Sequence, residues 1–295
     1  MTPRNPNFQR QKFLLMFIKL ADGRLSKIDL QKLVFLFQQK YKIYFYDFIP
    51  YFYGCYSFQV NEDIEVLNKQ RWISIKNKEI ELIHRYPNNI DCYSDVKRFL
   101  STYYGIRGDE LIKSVYMAYP YYAINSKIAH NLLTKEELIK IHNEKQKCIF
   151  KSSTLFTIGY EGITIEAYIN KLIQNGVRVL CDVRNNPISR KYGFSKTTLS
   201  SILQEINILY VHIPELGIVS EKRKNLNEQS DYKTLFNEYK KTLPKKKIYI
   251  DKLLGLLQDQ KRIALTCFEK DPNQCHRHIL SQYMKDNYTV KVVNL

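Results

Sequence analysis

The feature that most constrains this chain is an alternation of short apolar runs with helical segments in its second half. Apolar runs typical of strands occupy residues 155–158, 177–181, 209–213 and 263–267, and segments with helical spacing lie between them. Strands that alternate with helices form a parallel sheet, because each crossover helix returns the chain to the same edge. We therefore predict an α/β domain with a mainly parallel sheet over residues 149–295.

Polar residues follow three of these predicted strands. Tyr160 follows the first, Asp182 and Arg184 follow the second, and Cys267 and Glu269 lie at and after the end of the late strand. In a parallel sheet, ligands bind beyond the carboxyl ends of the strands. Polar groups at three such ends predict a binding site there.

The segment 266–277 is the richest in reactive side chains, and its pattern is strand, loop, helix start. Backbone N–H groups and the dipole at the start of that helix favour an anion, and Arg277 is expected to contact it in a bidentate manner. A cysteine beside His276 and Arg277 at a helix start is expected to have a lowered thiol pKa, which makes Cys275 a candidate nucleophile. Glu269 is expected to orient His276 or to act as a general base.

The same residues have structural interpretations that remain open. Cys267 can be an ordinary cysteine buried in a strand. Glu269 can be the cap of the helix that follows it. His276 and Arg277 are equally suited to a hydrogen-bond network that joins strand ends. A metal site of Cys267, Cys275 and His276 is a further alternative, but their spacing is not that of a structural zinc motif, so we predict no metal.

The first half predicts a mainly α-helical domain. Apolar spacing indicates helices over residues 11–20, 26–39 and 57–70, and residues 71–82 indicate two short strands around an Asn-Lys turn. Helices followed by a hairpin are typical of winged-helix domains, which either bind a DNA groove or dock proteins. We predict a winged-helix-like domain over residues 1–148 and leave both roles open.

The charge of the chain favours polyanionic partners. Its 46 Lys and Arg exceed its 29 Asp and Glu, giving a net charge of +17. Such an excess favours nucleic acid, although an AT-rich genome also encodes lysine-rich chains. The phosphate-binding patterns GxxxxGK[ST] and GxGxxG do not occur, which argues against standard P-loop and dinucleotide enzymes.

The start of the chain predicts a cytoplasmic protein. The first residues are polar, and the apolar run 13–18 is too short for a secretory core or a membrane span. The six cysteines form no CxxC pair, so we expect reduced thiols and no membrane partner.

The second half also contains a set of motifs in a fixed order: Thr157-Ile158-Gly159-Tyr160-Glu161-Gly162, Asp182-Val183-Arg184 with Pro187 and Ser189, Phe194 with Leu199, Tyr210 through Gly217, and Cys267-Phe268-Glu269 through Cys275-His276-Arg277. On these motifs, residues 154–285 resemble DUF488, a bacterial domain of unknown function. Residues 29–36 and 48–54 resemble the winged-helix-like extension of some members. The family usually has a second glycine after Gly217, where this chain has Ile218. The resemblance implies an α/β fold and a site, but it implies no reaction.

Together these observations predict a protein that binds or acts on nucleic acid or a nucleotide at a strand-end anion site. The predicted anion-binding residues are Arg184, Arg277, Tyr160 and Asp182, and the predicted catalytic residues, if the protein is an enzyme, are Glu269, Cys275 and His276. The sequence identifies no cofactor. The alternatives are a non-catalytic DNA-binding regulator that senses a small ligand and a module that binds a protein partner.

Overall fold

The computed structural model describes residues 3–84, 90–223 and 229–295, which fall into two compact units, Met1–Gln146 and Lys147–Leu295. The first unit is rich in helices, and the second contains a parallel sheet with helical crossovers. The predicted fold class, an α/β C-terminal domain and a mainly α N-terminal domain, is confirmed. Within the described residues, no helix combines the length and the apolar character needed to span a bilayer.

The described residues of the first unit form α-helices and short strands, with one 3₁₀ turn at Pro120–Ala123. The helices and strands are α1 (Gln9–Leu20), β1 (Arg24–Ser26), α2 (Lys27–Tyr41), β2 (Ile49–Tyr51), β3 (Gly54–Tyr56), α3 (Phe58–Lys69), β4 (Ile73–Lys76), β5 (Glu79–Leu82), α4 (Tyr93–Thr102), α5 (Gly108–Ala118), α6 (Ala129–Leu132) and α7 (Lys135–Gln146).

Two small sheets accompany these helices. The strands β4 and β5 pair as the predicted hairpin, and Asn77 and Lys78 at its turn have φ angles of 51° and 68°. The strand β1 adds to the hairpin in the order β1-β5-β4, and β2 pairs with β3 separately. Helices followed by a hairpin are present, and the winged-helix label itself stays a prediction.

The core of the first unit lies around α1 and α2. The helix α2 is capped by Ser26, whose Oγ accepts a hydrogen bond of 3.0 Å from the backbone N–H of Asp29. Phe13, Phe17 and Phe37 are fully buried and their rings contact one another. Burial of each such side chain stabilises the unit by about 1.5–3 kcal/mol.

The second unit alternates strands and helices along the chain. Its elements are β6 (Thr154–Gly159), α8 (Ile165–Gln174), β7 (Val179–Asp182), α9 (Lys196–Glu205), β8 (Leu209–His212), α10 (Gln229–Thr242), α11 (Lys247–Gln260), β9 (Arg262–Cys267), α12 (His276–Tyr288) and β10 (Val292–Asn294).

These five strands form one parallel sheet in the order β10-β6-β9-β7-β8. Every residue of β6, β7 and β9 is buried, as expected for strands covered on both faces of a parallel sheet. The register pairs Gly159 with Cys267, and Asp182 with Thr266. The carboxyl ends of the three central strands therefore lie at one edge, where their following residues meet.

Candidate functional site

Gly159 fixes the path of the loop that follows β9. A Cβ atom at this position would lie 1.8 Å from the carbonyl oxygen of Glu269, so only glycine leaves room for that backbone. The backbone N–H groups of Tyr160 and Glu161 donate to the carbonyl of Phe268 at 3.1 and 2.9 Å. The loop after β9 is thus held against the end of β6.

A buried ion pair joins the ends of β7 and its neighbours. Asp182 and Arg184 are 0% and 5% exposed, and the Arg184 guanidinium donates to both carboxylate oxygens at 2.5 to 3.1 Å. Its other terminal nitrogen donates to the hydroxyl of Tyr160 and the carbonyl of Phe194, both at 2.9 Å. The hydroxyl of Tyr210 donates to Asp182 at 2.5 Å. The guanidinium N–H groups of Arg184 therefore donate to oxygen atoms of the protein itself.

The pKa values of this network follow from its contacts. Burial disfavours the charged guanidinium, but the hydrogen bonds and the charge of Asp182 outweigh that effect and raise the pKa of Arg184. Burial and the neighbouring Asp182 carboxylate both raise the pKa of the Tyr210 phenol. The network consequently stays ionised at Arg184 and neutral at Tyr210 across the physiological range.

Arg277 has a comparable internal role. Its side chain, in a residue only 1% exposed, donates to the carbonyl of Glu269 at 2.6 Å and to the carbonyl of Lys270 at 3.1 Å. Its Nε has no hydrogen-bond partner among the described residues. The guanidinium thus contacts two carbonyl oxygens, and the bidentate anion contact stays a prediction. These contacts agree with the alternative in which His276 and Arg277 join strand ends.

His276, at the start of α12, is enclosed with two cysteines. Cys267, Cys275 and His276 are 1%, 1% and 0% exposed. The Nδ1 atom of His276 lies 3.8 Å from each sulfur, and its Nε2 lies 3.1 Å from the carbonyl oxygen of Val183. Since a carbonyl only accepts, Nε2 carries a hydrogen, and Nδ1 is the ring nitrogen that faces the two sulfurs.

The prediction of a lowered thiol pKa at Cys275 is wrong. Burial raises the pKa of this thiol well above its ordinary value, and the neighbouring Cys267 and Glu269 raise it further. The positive charge of Arg277 acts in the opposite direction but is outweighed. A position at a helix start activates a thiol only where the thiolate keeps some solvation, and Cys275 is almost completely enclosed.

An open cavity of about 350 Å³ lies at the carboxyl ends of these strands. It contains three of the predicted site residues, Tyr160, Arg184 and Glu269, together with Cys267. Asp182, Cys275, His276 and Arg277 are not among its lining residues. The remaining lining residues are Asn185, Asn186, Ile188, Ser189, Arg190, Ile218 and Phe268.

The segment 185–190 supplies most of the cavity wall that sequence reasoning missed. Arg190 is exposed, and among the described residues it makes no ion pair or side-chain hydrogen bond. Arg190 lies six residues after Arg184, in the same loop after β7, and does not itself follow a strand directly. The run of two asparagines before Pro187 was the available signal, because such residues are typical of exposed polar loops.

The loop after β8 closes another side of the cavity. A Cβ at Gly217 would lie 2.4 Å from the backbone nitrogen of Asn185, so this glycine allows the two loops to touch. Ile218, the next residue, is 6% exposed and lines the cavity, so it places an apolar side chain in the wall.

Comparison with known proteins identifies one family. The model of DUF488, a domain of unknown function, matches residues 164–284. Neither the curated proteins nor the solved structures give a significant match to this chain. The matched range runs from the start of α8 into α12 and contains β7, β9 and the loops that line most of the cavity. The second unit of this chain therefore carries a domain of the DUF488 family.

Proposed function

We propose that the second unit binds a phosphate-bearing ligand, a nucleic acid or a nucleotide, in the cavity at the carboxyl ends of β6, β7 and β9. The observation that carries this proposal is the exposed guanidinium of Arg190 in the wall of a 350 Å³ cavity. A volume of that size lies within the range of about 300–1,000 Å³ typical of small-molecule sites. The planar guanidinium of arginine binds phosphate groups in a bidentate manner.

The other wall residues suit the remaining parts of a nucleotide. Asn185 and Asn186 carry amide donors and acceptors, which can bind sugar hydroxyls or base edges. Phe268 lines the cavity while 44% exposed, and an exposed aromatic face is a platform on which a base stacks. The combination of one exposed cation, two amides and one aromatic face fits a nucleotide better than it fits a simple inorganic anion.

The buried arginines have a different part in this proposal. Arg184 and Arg277 hold the strand ends and the loop after β9 through hydrogen bonds to protein groups. They shape the cavity, and Arg190 contacts the phosphate. The net charge of +17 adds a long-range attraction that brings a polyanion to the protein.

The test is binding of the whole chain to labelled single-stranded DNA, duplex DNA, single-stranded RNA and AMP across a salt series. We expect R190A to weaken binding by about 10-fold, as loss of a hydrogen-bonded charged contact does. For an oligonucleotide, the slope of log K against log salt should fall by about 0.7–0.9, the value for one lost phosphate contact.

R178A is the matched control. Arg178 is also exposed, but it directly precedes β7 and so lies at the opposite, amino-terminal end of that strand. Both variants remove the same charge, so any general electrostatic effect should be equal in the two. Equal binding by R190A and R178A, or no binding of any probe at physiological salt, would overturn the proposal. Binding of AMP without oligonucleotide binding would identify the ligand as a free nucleotide.

A further inference from the structure

Three metal-binding atoms converge behind the cavity. The Sγ atoms of Cys267 and Cys275 and the Nδ1 atom of His276 all lie within 4.8 Å of one another. Each sulfur is 3.8 Å from Nδ1. All three side chains are buried, so their positions are fixed by the surrounding core.

These separations are close to those of a tetrahedral zinc site. Bonds of about 2.3 Å for Zn–S and about 2.0–2.1 Å for Zn–N place sulfur and nitrogen about 3.6 Å apart at a tetrahedral angle. The observed S···N distances of 3.8 Å differ from that value by only a few tenths of an ångström. Small side-chain rotations are enough to close the difference.

The orientation of His276 supports metal binding. Its Nε2–H donates to the Val183 carbonyl at 3.1 Å, and Nδ1, the nitrogen that can bind a metal, lies 3.8 Å from each of the two sulfurs. Metal-binding histidines usually donate their other ring N–H to a carbonyl or carboxylate in this way, because that bond fixes the tautomer and the ring orientation.

The fold brings the ligands together despite their spacing in sequence. Cys267 ends β9, while Cys275 and His276 stand at the start of α12. Between them the short 3₁₀ helix Pro272–Gln274 turns the chain back, and the Asp271 carboxylate caps it by accepting from the N–H of Asn273 at 2.9 Å. This strand-loop-helix arrangement brings the three side chains together without the sequence spacing of structural zinc motifs, the spacing on which the prediction of no metal depends.

We propose that Cys267, Cys275 and His276 bind one zinc ion, with a water molecule from the cavity as its fourth ligand. Two thiolates neutralise the charge of a divalent ion, which favours zinc over calcium or magnesium in a buried site. Cys267 lines the cavity, so the fourth position is reached from that side. The zinc site does not depend on which ligand the cavity binds.

The test uses the whole chain, purified in reductant, stripped with a chelator and checked for free thiols. Zinc is then titrated in competition with a chromogenic chelator, and cobalt is titrated by absorbance. We expect one metal ion per chain, with the intense visible bands and thiolate charge-transfer absorption of tetrahedral cobalt. C267S and C275S should each weaken zinc binding by more than about 100-fold, beyond the 10–100-fold effect typical of outer ligand-shell changes.

C181S is the matched control. Cys181 is fully buried in β7 of the same sheet but is not part of the three-ligand cluster. This variant introduces the same buried hydroxyl and should still bind one zinc ion with tetrahedral cobalt bands.

Less than a tenth of an equivalent of zinc on the reduced wild-type chain would overturn the proposal. Full affinity in both C267S and C275S would do the same. If those variants do not fold, the cobalt spectrum of the wild-type chain tests the proposal instead. The weak bands of octahedral cobalt would then overturn it, because the proposed site is tetrahedral.

Discussion

Removal of the Asp182 carboxylate should destabilise the second unit strongly. In D182A the Arg184 guanidinium, in a residue only 5% exposed, keeps its charge but loses the oxygens that accept from it. The Tyr210 hydroxyl loses its acceptor as well. Removing one partner of a buried ion pair costs about 3–5 kcal/mol, because the other charge is left buried and uncompensated.

That loss is large relative to the whole stability of a domain. Typical free energies of unfolding are about 5–15 kcal/mol, so D182A should lower the urea midpoint by a clearly measurable amount. Far-ultraviolet circular dichroism follows both units. The single tryptophan, Trp72, lies in the first unit, so its fluorescence distinguishes unfolding of that unit from unfolding of the second.

The control is an exposed ion pair in the same unit. Lys247 and Asp251 are 2.7 Å apart on α11, with side chains 69% and 47% exposed. D251A should change the free energy of unfolding by less than about 1 kcal/mol, since exposed pairs contribute little. The double variant D182A/R184A should be less destabilised than the sum of its single variants. A cost for D182A of under about 1 kcal/mol, equal to that of D251A, would refute the reasoning.

Three further predictions concern the loop after β9, the thiols and alkaline stability. G159A should lower the free energy of unfolding by about 1–3 kcal/mol because its Cβ would lie 1.8 Å from the Glu269 carbonyl. In contrast, G255A, inside α11 with no atom within 4 Å, should raise it by about 0.5–1 kcal/mol, and urea unfolding that ranks the two variants the other way would contradict the packing. Of the six cysteines, Cys148 is the one that is not buried, so a thiol reagent should modify it first in the native chain; rapid modification of a second thiol, located by peptide mapping, would be inconsistent with the observed burial. Burial raises the pKa of Cys55 to about 11, whereas an unfolded thiol titrates near pH 8.5. The associated stabilisation is therefore fully present below about pH 8.5 and is lost as the pH rises to about 11. The urea midpoint of C55A should decline less than that of wild type over this range, and parallel declines would count against the shift.

Much of the second unit follows from periodicity. The alternation of apolar runs and helical segments predicts the parallel sheet, because each run is long enough to identify a buried strand. The polar residues after β6, β7 and β9 lie at one edge of the sheet, as the topology requires.

The contacts within the site could not be read from the sequence. Arg184 was predicted as an anion ligand, but Tyr160 and the carbonyl of Phe194, which accept its hydrogen bonds, come from other segments. The thiol pKa of Cys275 depends on burial, which local sequence does not reveal.

The small sheets of the first unit were only partly predictable. The hairpin of β4 and β5 has alternating residues around an Asn-Lys turn, and it lies within the predicted range 71–82. The strands β1, β2 and β3 have only three residues each, which is too short for a recognisable period. Their pairing depends on contacts from distant parts of the chain.

The central claim, that a phosphate-bearing ligand binds at the carboxyl edge of the second sheet, is tested most directly by photo-crosslinking. The whole chain would be irradiated with a short single-stranded oligonucleotide carrying 4-thiouridine, and the attached peptides would be identified by mass spectrometry. We expect crosslinks within residues 185–190 and at Phe268, and we expect excess unlabelled AMP to reduce them. Crosslinks confined to residues 3–84 and 90–146, with the cavity peptides unmodified, would contradict the claim.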